Sequence, residues 1–445
     1  MVSTQITDGS TGHMAATIVA KSRRATLPWF RVAIGIFVLL MLCDFVFRGI
    51  VPSVSSGRND FSDPFVGSWL WTHGQNPYDR IVVAAVAKQL THSSLRVVPI
   101  YPLTTYVLVA PFTLLSWSRA NLAWTLISGV GIGLISWTLV RIAKFRISEI
   151  RAWLLVALVV GFTPLHRAIH TENVATIALA ICLLAVHMAD ESCDVSAGIL
   201  LAFATGLKPQ LGVWILFFYF VQLRWAVVVS GVWGFAALLA VACARIPVSL
   251  HTLFIDYRDD LHYWFGPGGP NDFTAGNSLR FQLVNVQVIF WQWLHSSVAA
   301  NAVAATLFIA GLVIWIWAMR RRGLGSLGLA SLLALSFLSF YHSVTDVSIM
   351  LLGFCWVLSN KDVQLRWTKL CSFILLSGLS VPIHSLLVRL EPHLSHGATS
   401  SWWWTGIVEP WFIWNMLLLN VVLLYAVTRS GLNACSETDQ LYPKN

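Results

Sequence analysis

Charge is scarce in this chain. Lys and Arg number 29 and Asp and Glu 20 among 445 residues, 11% charged against 57% hydrophobic, where soluble domains carry about a quarter charged residues. Mean hydropathy is +0.70. No soluble core could bury so much apolar surface with so few charges to coat it, which excludes a cytosolic enzyme, a disordered chain and a nucleic-acid binder. Nucleotide loops in a fitting context are missing too. No Gly-x-x-x-x-Gly-Lys-Ser/Thr occurs, and the Gly-x-Gly-x-x-Gly match at Gly323–Gly328 follows an apolar run and the Arg320–Arg322 cluster rather than a strand, so neither a nucleotide-sugar donor nor ATP-driven transport is expected. The Cys residues form no close pair, and Cys43, Cys182, Cys243, Cys355 and Cys371 sit inside apolar runs as small core residues. No heptad or helical repeat is evident. What remains is apolar runs rich in Trp and Phe, with basic residues clustered between them. These features predict an all-α, multi-pass membrane protein whose aromatics concentrate at the interfaces.

The runs divide the chain. A polar tail (1–29) carrying Lys21, Arg23 and Arg24 precedes a first span (30–51), long enough to cross and read as a signal anchor. A polar stretch (52–100) follows; Phe65, Trp69, Leu70, Ile81, Val82, Ala85 and Val86 recur in it near helical spacing, predicting one or two helices on the outer membrane surface. Spans fill 101–245, a second polar stretch with Asp256, Asp259, Asp260 and Asp272 covers 246–297, further spans fill 298–428, and a tail covers 429–445.

Two topologies satisfy this pattern with about twelve spans and both termini inside. Putting every basic cluster inside (Arg141 to Arg151, Arg320 to Arg322, Lys361 to Lys369) requires the 196–222 run to turn back at Lys208-Pro209 and 101–117 to dip in without crossing. The alternative crosses at 101–117, treats 196–222 as one span and leaves the 141–151 cluster outside. The first is preferred. It gathers the Asp60 region, the His166–Asn173 turn, Lys208, the 246–297 stretch and the Tyr341–Asp346 turn at a shared cavity on the outer face.

Several residues have both a bland and a chemical reading. Asp60 can cap the following helix, since Asp is a favoured N-cap; Asp63, with Pro64 next, looks like a helix start. Lys208 can snorkel from a helix end or pair with an anion. His342 and Asp346, four apart, share a face if their turn is helical. His166, Arg167, His170 and Glu172 form a polar knot, but their spacing is not that of a zinc motif, and no metal is expected. Asp44 in the first span can face a cavity or pair with a neighbouring helix.

Asp60-Phe61, Gly74, Pro77-Tyr78 and Tyr101-Pro102-Leu103 follow one another in an order that resembles glycosyltransferase family 87, within the GT-C membrane glycosyltransferases. Gly206-Leu207-Lys208-Pro209, Gly276-Asn277-Ser278-Leu279 and Tyr341-His342 continue the resemblance, which covers roughly residues 30–360. Pro64 stands where the family usually has an aromatic, only one Pro follows Tyr101, and of the family's Gly-Gln-x-Asn only Asn173 survives. The resemblance implies a GT-C-like bundle and transfer of a sugar, mannose above all, from a polyprenyl monophosphate to a lipid or glycan acceptor at the outer face of the cell membrane, without a cofactor. It makes Asp60 the general base, with Asp63 the alternative. Lys208 becomes the partner of the donor phosphate, with Arg280 and Arg258 weaker candidates, and Tyr78, Tyr101, Asn173, Asn277, His342 and Asp346 become substrate-binding. The rival class is a secondary transporter or lipid flippase; few intramembrane charges and no half-to-half repeat weigh against it. Nothing in the sequence sets the oligomeric state.

Overall fold

A computed structural model of the protein describes residues 27–51, 60–91, 99–320, 325–359, 363–395, 397 and 401–441. The N-terminal basic residues Lys21, Arg23 and Arg24, together with Arg321, Arg322 and Lys361, lie outside the described residues. The described chain is helical, and its only pairing of extended backbone is one isolated bridge, Leu283 to Ser343.

The first helix, α1 (Leu27–Phe45), continues through a π turn to Ile50. Two short helices follow in the first polar stretch, α2 (Ser62–Thr72) and α3 (Arg80–Thr91), then α4 (Leu103–Val109), α5 (Trp117–Ile142), α6 (Ile150–Val160), α7 (Thr163–His170), α8 (Ala175–Asp190), α9 (Asp194–Leu207), α10 (Pro209–Val221) and α11 (Trp225–Ala244). The second polar stretch contributes α12 (Leu250–Phe265) and α13 (Gln287–Leu294). The remainder is α14 (Ser297–Met319), α15 (Gly325–Ser339), a 3-10 turn (Val344–Met350), α16 (Leu351–Leu358), α17 (Arg366–Gly378), α18 (Ile383–Leu390) and α19 (Trp411–Leu441).

Among the described residues five helices are long and apolar enough to cross a membrane: α1 with its π turn, α5, α11, α14 and the first two-thirds of α19. Helices α6 and α7, bent by 47° at Gly161-Phe162, make a sixth if counted as one span. The protein is therefore a multi-pass membrane protein. Helices α8, α9, α10 and α15 are apolar but shorter than a full span, so length supports five or six spans rather than the twelve expected.

Two local breaks decide the layout. The 196–222 run is a helical hairpin. Lys208 is extended (φ −152°, ψ 89°) between α9 and α10, because Pro209 lacks an N–H and disfavours helical backbone at the residue before it. The outer ends of the hairpin meet again: the Arg224 guanidinium, just past α10, pairs with Asp194 at the start of α9 and donates to the Ala189 carbonyl at 2.7 Å. A Cβ at Gly212 would lie 2.2 Å from Thr205 Oγ1, so only glycine lets the two arms close this tightly. Lys208 is thus the apex of the hairpin.

The 101–117 run does not traverse the bundle. Helix α4 and the 3-10 turn after it span Leu103–Leu114, a length of roughly 18 Å against the ~30 Å hydrocarbon core. The segment starts where Thr104 and Thr105 donate to the Gly206 carbonyl at 2.9 and 2.8 Å, beside the hairpin apex. It ends with Phe112 and Trp117 packed on Phe61, ring centroids 5.8 and 6.0 Å apart. Both local features required by the first topology are present.

The remaining helices run to and fro between the two ends of the bundle. Arg151 donates to the Leu358 carbonyl and Lys369 to the Ser359 carbonyl at the end away from the hairpin apex. Over the apex end the two polar stretches are joined: Arg80 Nε lies 2.5 Å from buried Asp260 Oδ1, Asn76 donates to Asp256 at 2.6 Å, and Arg245 donates to the Thr72 carbonyl at 2.6 Å.

Candidate functional site

One connected set of polar side chains lies at the apex end. Helix α7 starts at Thr163-Pro164, Pro being suited to a first turn, and ends in a tight turn. There Thr171 N donates to the Arg167 carbonyl at 3.0 Å, and the Thr171 carbonyl accepts Asp60 N at 2.7 Å. Glu172 takes a left-handed conformation (φ 54°), which costs a non-glycine residue energy unless its surroundings enforce it. Here they do: its buried carboxylate accepts from Thr125 Oγ1 at 2.8 Å and Asn121 at 3.2 Å, and its carbonyl from Trp124 Nε1 at 3.0 Å. This turn aims Asn173 at Asp60. Asn173 Nδ2 donates to Asp60 Oδ2 at 2.9 Å, while its Oδ1 accepts from Lys208 Nζ at 3.0 Å.

Lys208 is 6% exposed and forms an ion pair with Asp346 Oδ1; Asp346 is 1% exposed. The other Asp346 oxygen accepts Ser343 N at 3.0 Å in a capping box that starts the 3-10 turn, and lies 3.6 Å from His342 Nδ1. Fully buried His342 completes the line through Nε2 to Ser336 Oγ at 3.1 Å and stacks on Phe337 at 4.1 Å. The sequence runs Asp60, Asn173, Lys208, Asp346, His342, each in contact with the next. The second polar stretch reaches the same place: Val284 N donates to the His342 carbonyl at 3.1 Å, and Arg167 Nη2 donates to Gln282 Oε1 at 2.5 Å.

Asp60 is exposed and does not cap α2, whose N-cap is Phe61, with no side-chain cap. Its Oδ1 has no partner among the described residues. Asp63 is half-buried in the first turn of α2, and burial, then the Asp60 charge, pushes its carboxyl well above the usual range. Asp63 is thereby pushed toward its protonated form. Tyr101 is buried, and Asp60, Asp63 and Asp346 all act on it electrostatically; burial first, then these charges, raises its phenol. Tyr101 therefore belongs to the site's surroundings as a neutral phenol.

Other expected site residues are packed into the protein instead. Tyr78 is buried, its hydroxyl donating to the Tyr101 carbonyl at 2.9 Å and its ring against Tyr257. Asn277 spends its amide inside its own loop, on the Pro270 and Asp272 carbonyls and Leu279 N. Arg280 lies over the Phe281 ring and donates to the Asn277 carbonyl at 3.4 Å and to the Gln292 side-chain oxygen at 3.3 Å; burial lowers its pKa. Arg258 pairs with its neighbour Asp259. In α1, Asp44 pairs with Arg48 at 3.5 Å and faces His166 at 3.6 Å. Arg167 and Glu172, which the sequence offered only as part of a polar knot, both touch the site; their i to i+5 spacing around a turn was the signal available. No group of three His, Cys, Asp or Glu side chains converges as a metal site needs, among the described residues. A cavity of ≈ 500 Å³ lined by Ile34, Val38, Ile150 and Trp153 lies between α1 and α6, at the opposite end.

The model of glycosyltransferase family 87 matches residues 100–343, more than half of the chain. The matched segment holds Tyr101, Arg167, Asn173, Lys208, Asn277, Arg280 and His342; Asp60, Asp63, Tyr78 and Asp346 lie outside it. No curated protein and no solved structure matches. The chain belongs to glycosyltransferase family 87, a family of membrane glycosyltransferases, and membership makes it an enzyme.

Proposed function

We propose that this member of glycosyltransferase family 87 moves a sugar, mannose by its family resemblance, from a polyprenyl monophosphate to a hydroxyl of a lipid or glycan acceptor at the extracytoplasmic face, with Asp60 as general base. One observation carries the proposal: an exposed carboxylate held through Asn173 to a buried cation, with one oxygen left without a partner among the described residues.

The chemistry is a single displacement. The acceptor oxygen forms a bond to the anomeric carbon as the bond from that carbon to the phosphate oxygen breaks. The electron pair leaves with the lipid phosphate, and the acceptor's proton passes to Asp60. A base must stand within hydrogen-bond reach of that hydroxyl, so a carboxylate fixed by one oxygen and open at the other suits the task. One displacement inverts the sugar, and a β-linked donor gives an α product. Lys208, neutralised by Asp346, steadies the orientation of Asn173 and hence of Asp60. The Asp63 carboxyl, held toward its protonated form by burial and by the Asp60 charge, is less available to take a proton.

Asp60→Asn tests this. It keeps shape and most hydrogen bonding but cannot take the proton, so kcat for transfer from a polyprenyl-phosphate sugar should fall by about 10²–10⁴-fold, with donor binding retained. Transfer at the wild-type rate by Asp60→Asn overturns the assignment.

A further inference from the structure

We infer that Arg167 is the anchor for the donor's phosphate, an assignment that rests on the lipid-phosphate donor proposed for this site. Phosphate recognition needs a cation free to meet an incoming anion, and most cations at this end are engaged. Lys208 is buried against Asp346 and Asn173. Arg80 is bound to Asp260 and Arg48 to Asp44. Arg167 differs. It is half-buried, and among the described residues the one side-chain partner its guanidinium meets directly is the neutral amide oxygen of Gln282. No carboxylate stands within ion-pair distance of it among the described residues, though the Asp60 charge acts on it through space.

A guanidinium fork carries five N–H donors and recognises phosphate bidentately. Gln282 takes one of them, and the rest of the fork is left for an anion. Its placement fits the displacement as well. Arg167 and Asp60 are tied to the same turn, because the Arg167 carbonyl accepts Thr171 N and the Thr171 carbonyl accepts Asp60 N. The Asp60 charge also acts on Arg167, which puts base and phosphate anchor within electrostatic reach of one another, as needed when acceptor and leaving phosphate lie on opposite sides of one sugar ring. Arg119, Arg245 and Arg280 also have no carboxylate in contact among the described residues, but Arg119 is exposed at the start of α5, Arg245 donates to the Thr72 carbonyl, and the charges acting on Arg280 are Glu409 and Asp272, not Asp60.

The test is binding of polyprenyl monophosphate, compared with uncharged polyprenol, to the full chain in lipid nanodiscs. Arg167→Met should weaken phosphate binding by about 10–100-fold, the usual scale for hydrogen bonds to a charged group, and leave polyprenol binding unchanged; Arg167→Lys should recover part of the loss. Gln282→Glu supplies a second variant that does not touch Arg167. It sets an internal carboxylate against the guanidinium and should weaken phosphate binding by competition while keeping the fold. Wild-type phosphate binding by Arg167→Met, or a loss in Arg280→Met with none in Arg167→Met, overturns the assignment. A wild-type protein that binds the phosphate no better than the alcohol overturns the donor class itself, and the Arg167 assignment with it.

Discussion

Asp60 and Asp63 stand three residues apart and meet different surroundings. Asp60 is exposed and fixed by Asn173; Asp63 is half-buried with its carboxyl raised by burial and by Asp60. The second effect gives a pH prediction whose sign is fixed. An ordinary Asp titrates near pH ~3.9, and Asp63 titrates higher in the folded protein. Wild type therefore has its full stability from this group below the ordinary value and loses it as pH climbs through the raised one. Asp63→Asn carries no charge to bury. Its melting temperature in detergent should exceed that of wild type at neutral pH, and the gap should close as pH falls to ~4. A gap that persists unchanged at low pH would show that charge burial is not its cause. Transfer by Asp63→Asn should stay near normal, the opposite of Asp60→Asn. Which residue types matter was legible in the sequence; which of them touch was not. Asn173 reaches Asp60 across 113 positions and Lys208 at the hairpin apex reaches Asp346 in the distant 3-10 turn, and no local pattern encodes such contacts. Tyr78 and Asn277 show the converse. Their motifs are visible, but their polar atoms are consumed by Tyr101 and by the 270–279 loop.

At the scale of elements, the decisive signal was legible. Lys208-Pro209 in the middle of an apolar run predicts a break, and the structure makes it the apex of the α9–α10 hairpin. What periodicity could not supply is the partner that lets a lysine sit buried there. The Lys208–Asp346 pair carries a specific energetic expectation. Removing one member strands a buried charge, at a typical cost of ~3–5 kcal/mol, whereas replacing both with apolar residues is often close to neutral. Lys208→Met and Asp346→Leu should each lower stability markedly, and the double variant should be more stable than either single one. The measurement is a double-mutant cycle on thermal unfolding in detergent. Additive losses would mean that the two charges do not compensate each other. The double variant should still transfer sugar poorly, because Asn173 loses the donor that holds its Oδ1.

At the scale of the whole molecule, charge is sorted by end. Asp60, Asn173, the hairpin apex and both polar stretches gather at one end, while Arg151, Arg224 and Lys369 hold carbonyls or carboxylates at the other. Exposed Arg146 lies in the turn between α5 and α6 at that second end, and exposed Ala275 in the loop that leads toward Gln282 and the site. Basic residues concentrate on the cytoplasmic side of membrane proteins, so the site end should face outward. A thiol reagent that cannot cross membranes reads this directly. Cys43, Cys193 and Cys371 are exposed, so the background must be free of native cysteine. In it, Ala275→Cys should react in intact cells and Arg146→Cys only after permeabilisation. The contrast also separates the two topologies consistent with the sequence, because crossing at 101–117 would put Arg146 on the same side as Ala275. The hairpin at Lys208 and the return of Phe112 and Trp117 to Phe61 oppose that crossing. Labelling of both positions from outside would restore it, and would separate the base at Asp60 from a common outward cavity.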